Sequence, residues 1–392
     1  MEASYSAGKL STFFSPHKII LGPGAARTIA LEAKALGGKK AVIVTDQGIV
    51  RTGMVESIKG YLLADGVDVT LYDRVELETP ARVIDEGARL AREEQCDVVI
   101  ALGGGTTLDT VKGVSLMAKN EGSILDYVGV DRVPFRGLPK VMLPTTGGSG
   151  SEVTRFFGLT DEARKSKEAV GTPHNLADVV ILDPLLTLSL PPVITAETGF
   201  DALGHAVEAY VSHHGTPFSD ILALESIHLV GKSLLAAYSK GENVDARQDM
   251  LLAATLAGLA FGSGGLGAGH AFSFALETDH GLTHARAVAV MLPHIMEFNK
   301  IGVLRRYEAI AAALGERVGE PSHSQTADAA ISCVRRMLEA TAISSRLSDY
   351  GVSDDNIPAL VAGTMRQSRL FAANPRNLTE QDVWNIYTRA LR

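Results

Sequence analysis

Between about Lys18 and Leu190 the sequence alternates short β-branched runs with segments of helical periodicity, and this alternation strongly constrains the fold. The strand-like runs are KKAVIVTD, VDVTLYD, CDVVIALGGG and LPKVMLPTT. The helix-like segments are GAARTIALEAKALG, GMVESIKGYLLADG and PARVIDEGARLAREEQ. Such alternation predicts a mostly parallel sheet with helices on both faces. Ligands of these sheets bind at the carboxyl ends of the strands.

The second half of the chain shows a different pattern. After SLPPVITAET the strand signals end, and segments such as FSDILALESIHLVGKSLLAAYSK and ADAAISCVRRMLEATA place apolar residues at helical spacing. Pro191 and Pro192 disfavour a helix across them and mark the boundary. A chain of 392 residues also exceeds the size at which one core usually keeps growing. We therefore expect an α/β domain over residues 1–190 and an all-α domain over residues 191–392.

Charge and composition exclude several classes of function. The formal net charge is −8 without a long basic run, so the sequence has no electrostatic footprint for nucleic acid or for an anionic membrane. Its longest apolar runs are shorter than the ~20 residues that span a bilayer. The N-terminal MEASYSAGKL lacks a basic segment followed by an apolar one, which favours a cytoplasmic protein. Cys96 and Cys333 lie outside any CxxC pattern, so we expect reduced thiols and a small-molecule partner.

Two loops rich in small residues follow strand-like runs. Gly103, Gly104 and Gly105 come directly after one strand and before a helix, where backbone without side chains can approach a phosphate. TTGGSG at 145–150 ends another strand with hydroxyl donors. Asp46 ends a third and can accept hydrogen bonds from the ribose hydroxyls of NAD. Each feature has an alternative interpretation. The three glycines could form only a tight turn, TTGGSG could be a flexible surface loop, and Asp46 could merely start a turn.

A carboxylate and several imidazoles lie in apolar surroundings in the second half. Asp201 and His205 are four residues apart, so they share one face of a helix and can bind one ion. The later segment GGLGAGHAFSFALETDHGLTHARAVAVMLPH carries His270, His280, His284 and His294. One carboxylate with up to three neutral imidazoles suits iron(II) or zinc, and does not suit calcium or magnesium. Periodicity alone leaves open which of these histidines bind.

The motifs GGGTTLDTVK, PTTGGSGSEVT, FDALGHAVEAY and the later histidine-rich segment, in this order, resemble the iron-containing, group III alcohol dehydrogenases. The resemblance runs from about Lys18 to at least His294. It implies a Rossmann-like α/β domain followed by an all-α domain, the dehydroquinate synthase-like plan. In that family an aspartate and a histidine on one helix are joined by two histidines fourteen residues apart. The implied metal ligands are therefore Asp201, His205, His270 and His284, and His294 is left as a structural residue at a helix end.

The resemblance also implies which residues bind the cofactor NAD. They are Asp46, Gly103, Gly104, Gly105, Thr106, Asp109, Thr145, Thr146, Ser149 and Lys167. Asp46 corresponds to the adenosine ribose and would repel the extra phosphate of NADP. Lys167 aligns with a family lysine near the nicotinamide ribose, although it could instead be a solvated lysine among Arg164 and Lys165.

Two positions depart from the family pattern. Many members have a histidine four residues after the first late ligand, where it relays protons, and this sequence has Phe274. Either water and the ribose of the cofactor then carry the proton, or a different side chain does, for which His280 is the nearby candidate. Arg286 stands close in sequence to His284, where the family has small or apolar residues. A guanidinium there either favours an anionic aldehyde or points outward and pairs with a surface acid.

The resemblance implies a metal-dependent, NAD-linked oxidoreductase that interconverts a primary alcohol and an aldehyde. The expected metal is iron(II), with zinc as a possible substitute, and the expected assembly is a homodimer or higher homo-oligomer. Two alternatives stay open within the related enzymes, a glycerol-dehydrogenase-like and a dehydroquinate-synthase-like metal and NAD enzyme. A third alternative is a metal-dependent binding protein that has lost catalysis, which the four filled ligand positions disfavour.

Overall fold

The structure, a computed structural model, describes residues 10–164, 166–316 and 323–392. Residues 1–9, on which the expectation about the N-terminal segment rests, and Lys165 lie outside the described residues. Two compact units make up the chain. One is Phe14–Leu190, and the other is Pro191–Arg392 together with the segment that ends at Phe13.

The first unit contains a six-stranded sheet with the strand order β1-β9-β6-β4-β2-β3, in which every pairing is parallel. The strands are β1 Lys18–Leu21, β2 Lys40–Val44, β3 Asp68–Tyr72, β4 Val98–Gly103, β5 Gly129–Val130, β6 Lys140–Pro144, β7 Phe156–Asp161, β8 Ser166–Gly171 and β9 Val179–Leu182. The predicted parallel sheet is confirmed. In register, Val44 lies opposite Ala101, and Gly103 lies opposite Pro144, so β2, β4 and β6 end at one edge of the sheet.

Helices of the first unit cover this sheet. They are α1 Ile29–Ala35, α2 Gln47–Arg51, α3 Met54–Ala64, α4 Ala81–Glu93 and α5 Gly105–Met117. The three helix-like segments of the sequence correspond to α1, α3 and α4. The apolar faces of α1 and α3 pack on strands β2, β4 and β6, which are buried almost throughout and read as continuous aliphatic runs. Helix α4 packs mainly on α5.

A second, three-stranded sheet with the order β5-β8-β7 was not expected from the sequence. Strands β7 and β8 form an antiparallel hairpin, with Phe156 opposite Gly171 and Asp161 opposite Ser166. Its strand FFGLTD alternates exposed and buried residues over only six positions. Such a short run gives a weak periodic signal, so the hairpin could not be predicted from the sequence pattern.

Helices make up the second unit, and the described residues after Leu190 contain no strand, as predicted. They are α6 Pro192–Val211, α7 Pro217–Ser239, α8 Val244–Gly264, α9 Ala268–His280, α10 His284–Asn299, α11 Leu304–Ala313, α12 His323–Ala340, α13 Ile357–Arg366 and α14 Glu380–Ala390. Among the described helices, α7 is by length and composition apolar enough to cross a membrane. It packs on α6 and α8, and core helices of this kind pass the same test of length and hydropathy.

Candidate functional site

Helix α6 carries Asp201 and His205 on one face, in a stretch that is buried almost throughout. Glycines let neighbouring helices come close to it. A Cβ at Gly199 would lie 2.3 Å from Leu234 of α7, and one at Gly204 would lie 2.6 Å from Val288 of α10. Because α6 is enclosed in this way, both polar side chains are withdrawn from solvent, with 5% of each exposed.

Two further helices bring the other candidate ligands to Asp201. His270 lies in the first turn of α9, and His284 is the first residue of α10. Asp201 Oδ1 is 3.7 Å from His205 Nδ1, 4.0 Å from His270 Nε2 and 3.7 Å from His284 Nε2. The four candidate ligand atoms all lie within 4.8 Å of one another. Donor atoms that bind one transition metal at ~2.0–2.2 Å have to converge in this manner.

Three of these four atoms, Asp201 Oδ1, His205 Nδ1 and His270 Nε2, are buried without a hydrogen-bond partner among the described residues. A buried polar atom left without a partner costs roughly 1–3 kcal/mol. A single cation would give all three a partner at once. The donor set, one carboxylate oxygen and three imidazole nitrogens, fits iron(II) or zinc.

A carboxylate fixes the tautomer of each of the two late histidines. Glu208 Oε2 lies 2.7 Å from His270 Nδ1, and Glu277 Oε2 lies 3.2 Å from His284 Nδ1. An Nδ1–H that donates to a carboxylate leaves Nε2 unprotonated, which is the form a metal binds. Burial alone raises the pKa of Glu208, but the facing imidazole of His270 and the hydrogen bond from the amide of Gly267 outweigh it, and the pKa is lowered. Glu208 is therefore ionised.

Sequence reasoning missed both carboxylates, although a signal was present. Glu208 follows Asp201 by seven residues on α6, and Glu277 follows His270 by seven residues on α9. A spacing of seven places both members on one helix face. In each helix the first residue of such a pair is a candidate ligand, and the second contacts an imidazole carried by another helix.

His205 is held between two rings. Its imidazole stacks on Phe261 at a centroid distance of 4.6 Å and on His270 at 4.5 Å. Burial lowers the pKa of His205 to about 4. The imidazole is therefore neutral at pH 7, and its Nδ1 lone pair is available to a metal ion.

The two positions that depart from the family pattern lie on α9 and α10. Phe274 is half-buried, and its ring centroid lies 5.5 Å from that of His284. Arg286 pairs with Glu197, whose side chain is buried, so its partner is not the surface acid of one alternative. The expectation that His294 lies at a helix end is wrong, because it lies inside α10 with its Nε2 2.8 Å from the carbonyl of Ser345.

His280 ends α9, and its Nε2 lies 3.2 Å from the carbonyl oxygen of Tyr350. This contact ties the helix end to a neighbouring turn. It is separate from the group of four converging ligand atoms. A role for His280 in proton transfer stays a prediction.

The two glycine-rich loops of the first unit pack against each other. A Cβ at Gly103 would lie 2.4 Å from the hydroxyl of Thr107, and one at Gly105 would lie 2.9 Å from Cβ of Ser149. At Gly104 the nearest atoms belong to Thr146, at 3.3 Å. Glycine is thus required where β4 turns into α5. The amides of the first turn of α5, which includes Thr106, point out at this edge of the sheet.

Thr145 and Asp109 occupy different environments beside these loops. The amide of Thr145 donates to Gly103 at 3.0 Å, but its hydroxyl is buried without a hydrogen-bond partner among the described residues. Asp109 accepts from the amide of Gly158 at 3.1 Å and from the hydroxyl of Ser151. Asp109 therefore holds the second loop and strand β7 to α5, and its contact with NAD stays a prediction.

The last two cofactor candidates have protein partners. Oδ1 of Asp46 accepts from the amide of Ile49 at 3.1 Å and so caps α2, which agrees with the alternative that it starts a local turn. Lys167 is not simply solvated, because 15% of its side chain is exposed and its Nζ lies 3.2 Å from Glu78. Neither contact prevents the side chain from also binding a ribose of NAD. The roles of Asp46 and Lys167 in cofactor binding stay predictions.

Two family models match the chain over nearly its whole length. The model described as iron-containing alcohol dehydrogenase matches residues 16–184, and the model of the C-terminal part of the same family matches residues 195–391. The chain belongs to the iron-containing alcohol dehydrogenase family. It is therefore an enzyme that interconverts an alcohol and an aldehyde, and the cofactors of its family are iron and NAD.

Individual iron-containing alcohol dehydrogenases resemble the chain along its whole length. A choline dehydrogenase of Bacillus subtilis is 37% identical, covering 98% of this chain and 96% of the relative. The solved structure of a 1,3-propanediol oxidoreductase is 34% identical with a TM-score of 0.95, covering 97% of this chain and 100% of that chain. A sulfoacetaldehyde reductase from Bifidobacterium kashiwanohense, solved with NAD+, is 29% identical with a TM-score of 0.90, covering 98% and 99%. These names span cationic, neutral and anionic substrates, so membership of the iron-containing alcohol dehydrogenases leaves the charge of the substrate open.

Proposed function

We propose that this dehydrogenase binds iron(II) through Asp201, His205, His270 and His284 and uses NAD to interconvert a neutral primary alcohol and its aldehyde. The observation that carries the metal assignment is the convergence of four donor atoms within 4.8 Å, three of which are buried without a partner among the described residues. Zinc has the same donor preferences and is the expected substitute.

The protein's residues divide the work of holding the metal. Asp201 supplies the negative charge, and the three imidazoles supply neutral donors. Glu208 and Glu277 keep His270 and His284 in the tautomer that leaves Nε2 unprotonated. A bound iron(II) ion supplies a Lewis acid that lowers the pKa of the alcohol, and bound NAD supplies the hydride acceptor.

We further propose that the cofactor is held by the loops after β4 and β6, with Asp46 after β2 selecting NAD over NADP. The backbone amides at the start of α5 supply donors for the pyrophosphate, and Gly103, Gly104 and Gly105 allow its close approach. The buried hydroxyl of Thr145, which has no partner among the described residues, is a donor for a ribose or for the nicotinamide amide. Thr146, Ser149 and Lys167 are assigned to the same cofactor by the family resemblance alone.

The preference for a neutral substrate rests on Phe274 and Arg286. The ring of Phe274 lies beside His284, the most exposed of the four candidate ligands, and provides an apolar surface there. The guanidinium of Arg286 is already matched by the carboxylate of Glu197, so the pair offers an anionic substrate little net charge. Both observations favour a short aliphatic alcohol over a carboxylated or sulfonated one.

Location and assembly are part of the same proposal. We propose a cytoplasmic enzyme that forms a homodimer or a higher homo-oligomer. Buried, unpaired Cys96 and Cys333 suit a reducing compartment. Strand β1 is an edge of the large sheet and exposes Ile19 and Leu21, and an exposed apolar edge strand is often covered by another chain.

An anaerobic assay tests the proposed function. The protein is loaded with iron(II) or with zinc, and NADH consumption is measured with propanal and with sulfoacetaldehyde. We expect higher kcat/KM for propanal and a strict metal requirement. Equal or better turnover of sulfoacetaldehyde would reject the neutral substrate. Full metal content in the variant His284→Ala, measured by elemental analysis, would reject the ligand set.

A further inference from the structure

Glu197 is a buried carboxylate one helical turn before Asp201 on α6. Its side chain is 5% exposed, and the spacing of four residues places it on the helix face that carries Asp201 and His205. It is not one of the four converging candidate ligands. A carboxylate withdrawn from water next to another carboxylate requires a specific compensating partner.

That compensation comes from the beginning of α10. Nε of Arg286 donates to Glu197 Oε1 at 2.7 Å, and a second guanidinium nitrogen donates to the same oxygen. The hydroxyl of Thr283 donates to Glu197 Oε2 at 3.2 Å. The guanidinium also lies over the ring of Tyr350, 5.6 Å from its centroid. Both oxygens of Glu197 are thus engaged by residues on either side of His284.

These contacts fix a helix terminus that lacks a conventional cap. Thr283 is the N-cap residue of α10, but its side chain accepts no capping hydrogen bond, and its hydroxyl donates to Glu197. His284 is the first residue of α10, and 33% of its side chain is exposed, against 1–5% for the other three candidate ligands. A first helical residue frays easily when it is exposed and uncapped. The position of His284 therefore depends on the anchoring of Thr283 and Arg286.

We propose that Glu197 and Arg286 are a positioning pair, which holds His284 at the metal site by tying the start of α10 to α6. Together with Glu208 and Glu277 they complete a closed set of side-chain contacts among α6, α9 and α10. This inference rests on the proposed function, because it takes His284 to be a metal ligand.

A buried ion pair need not contribute to stability, and this allows positioning to be separated from folding. Replacing both partners by apolar residues of similar size is often neutral or stabilising, whereas removing one partner leaves a buried charge alone. The informative variants are Glu197→Gln, Arg286→Lys and the double variant Glu197→Leu/Arg286→Leu. The matched control is the part-buried pair Arg306 and Asp220 of the same unit, with an Nη1–Oδ2 distance of 2.8 Å, replaced as Arg306→Leu/Asp220→Leu.

The test measures metal release and ligand geometry directly. Protein loaded with zinc is mixed with an excess of a coloured chelator, and the first-order release rate is recorded. The visible spectrum of the cobalt(II)-loaded protein reports the ligand geometry, and the thermal midpoint of the metal-free protein reports the fold. We expect release to be 10- to 100-fold faster in Glu197→Gln and in the double variant, which is the factor by which loss of the partners that orient metal ligands usually lowers metal affinity. Arg286→Lys keeps the positive charge, so its zinc release rate should lie between those of the wild type and Glu197→Gln. The control variant Arg306→Leu/Asp220→Leu should release zinc at the wild-type rate. The variant Glu197→Leu/Arg286→Leu should keep the wild-type thermal midpoint.

Each other outcome is decisive. Unchanged release rates and cobalt spectra in Glu197→Gln and in the double variant would overturn the positioning role. Slower release would also overturn it, because it would make Glu197 a competitor for the metal. If His284→Ala retains stoichiometric zinc, the proposed ligand set fails. If His284→Ala loses zinc while the Glu197 and Arg286 variants behave as wild type, only the positioning pair fails.

Discussion

Glu208 Oε2 lies 2.7 Å from Nδ1 of His270, and both side chains are buried. The same carboxylate oxygen accepts from the amide of Gly267 at 2.9 Å, just before α9 begins. Glu208 therefore controls two things at once, the tautomer of His270 and the placement of the helix that carries it. Because the contact is buried, neither solvent nor another side chain can replace it at low cost.

Glu208→Gln should weaken metal binding more than Glu277→Gln does. Glutamine removes the charge that holds the Nδ1 proton of His270, and loss of such partners typically costs 10- to 100-fold in metal affinity. Glu277 contacts the more exposed His284 at 3.2 Å, where water can substitute, so its variant should lose less. Competition titrations with a zinc chelator measure both affinities. Wild-type affinity in Glu208→Gln would show that His270 keeps its tautomer without the carboxylate.

Gly269→Ala should also disturb the contact between Glu208 and His270. A Cβ at position 269 would lie 2.3 Å from Oε1 of Glu208, so the carboxylate has to move. Elsewhere in a helix, glycine to alanine stabilises by roughly 1 kcal/mol. Gly60→Ala in α3, where nothing lies within 4 Å of the new Cβ, is the matched control. We expect Gly60→Ala to raise the thermal midpoint and leave zinc affinity unchanged. Gly269→Ala should lower zinc affinity, and an unchanged affinity would mean that Glu208 can relocate freely.

Much of the architecture could be predicted because it follows from local periodicity. The aliphatic runs that form β2, β4 and β6 are buried on both faces, and their short length and β-branched residues are typical of such strands. Asp201 and His205 share a helix face by spacing alone. The prediction that His270 and His284 lie beside Asp201 and His205 depended on the family resemblance. The local sequence around the histidines does not indicate which of them come together in the fold.

The partners of the ligands were harder to predict, because they depend on contacts between helices. Glu197 and Arg286 are 89 residues apart in sequence, and neither belongs to a local pattern that requires the other. The pair exists because α10 starts beside the first half of α6. The sequence alone therefore indicates Arg286 only as a charge for the substrate or for a surface acid, and it gives no sign of the buried Glu197.

Asp46 can be tested for cofactor choice separately from its structural role. Its Oδ1 caps α2 through the amide of Ile49, and an asparagine keeps this capping hydrogen bond while removing the charge. We expect Asp46→Asn to raise the kcat/KM ratio of NADP over NAD without changing the thermal midpoint. Asp46→Gly should shift the ratio in the same direction and lose at most a few tenths of a kcal/mol of helix capping. An unchanged ratio in both variants would remove Asp46 from the cofactor site.

Lys112 of α5 gives the stability of the α/β unit a specific pH dependence. Its ammonium group is fully buried, and Nζ donates to Ser151 Oγ at 2.8 Å, to Thr154 Oγ1 at 2.9 Å and to the carbonyl of Phe156 at 2.7 Å. Burial lowers the pKa of Lys112 from 10.5 to about 8, although Asp109 opposes the shift.

The direction of the effect follows from proton binding. Between pH 8 and pH 10.5 the unfolded chain holds the Lys112 proton and the folded chain releases it, so the free energy of unfolding rises with pH. The full difference between 10.5 and about 8 corresponds to at most roughly 3 to 4 kcal/mol, at 1.36 kcal/mol for each pKa unit. We therefore expect the stability of wild type relative to Lys112→Met, measured by urea denaturation, to increase from pH 7.5 to pH 10. The variant Lys39→Met, which removes an exposed lysine, controls for the loss of a surface charge. A wild-type advantage over Lys112→Met that stays constant across this range would mean that Lys112 keeps its proton inside the fold, with its three oxygen partners stabilising the charge more than burial penalises it.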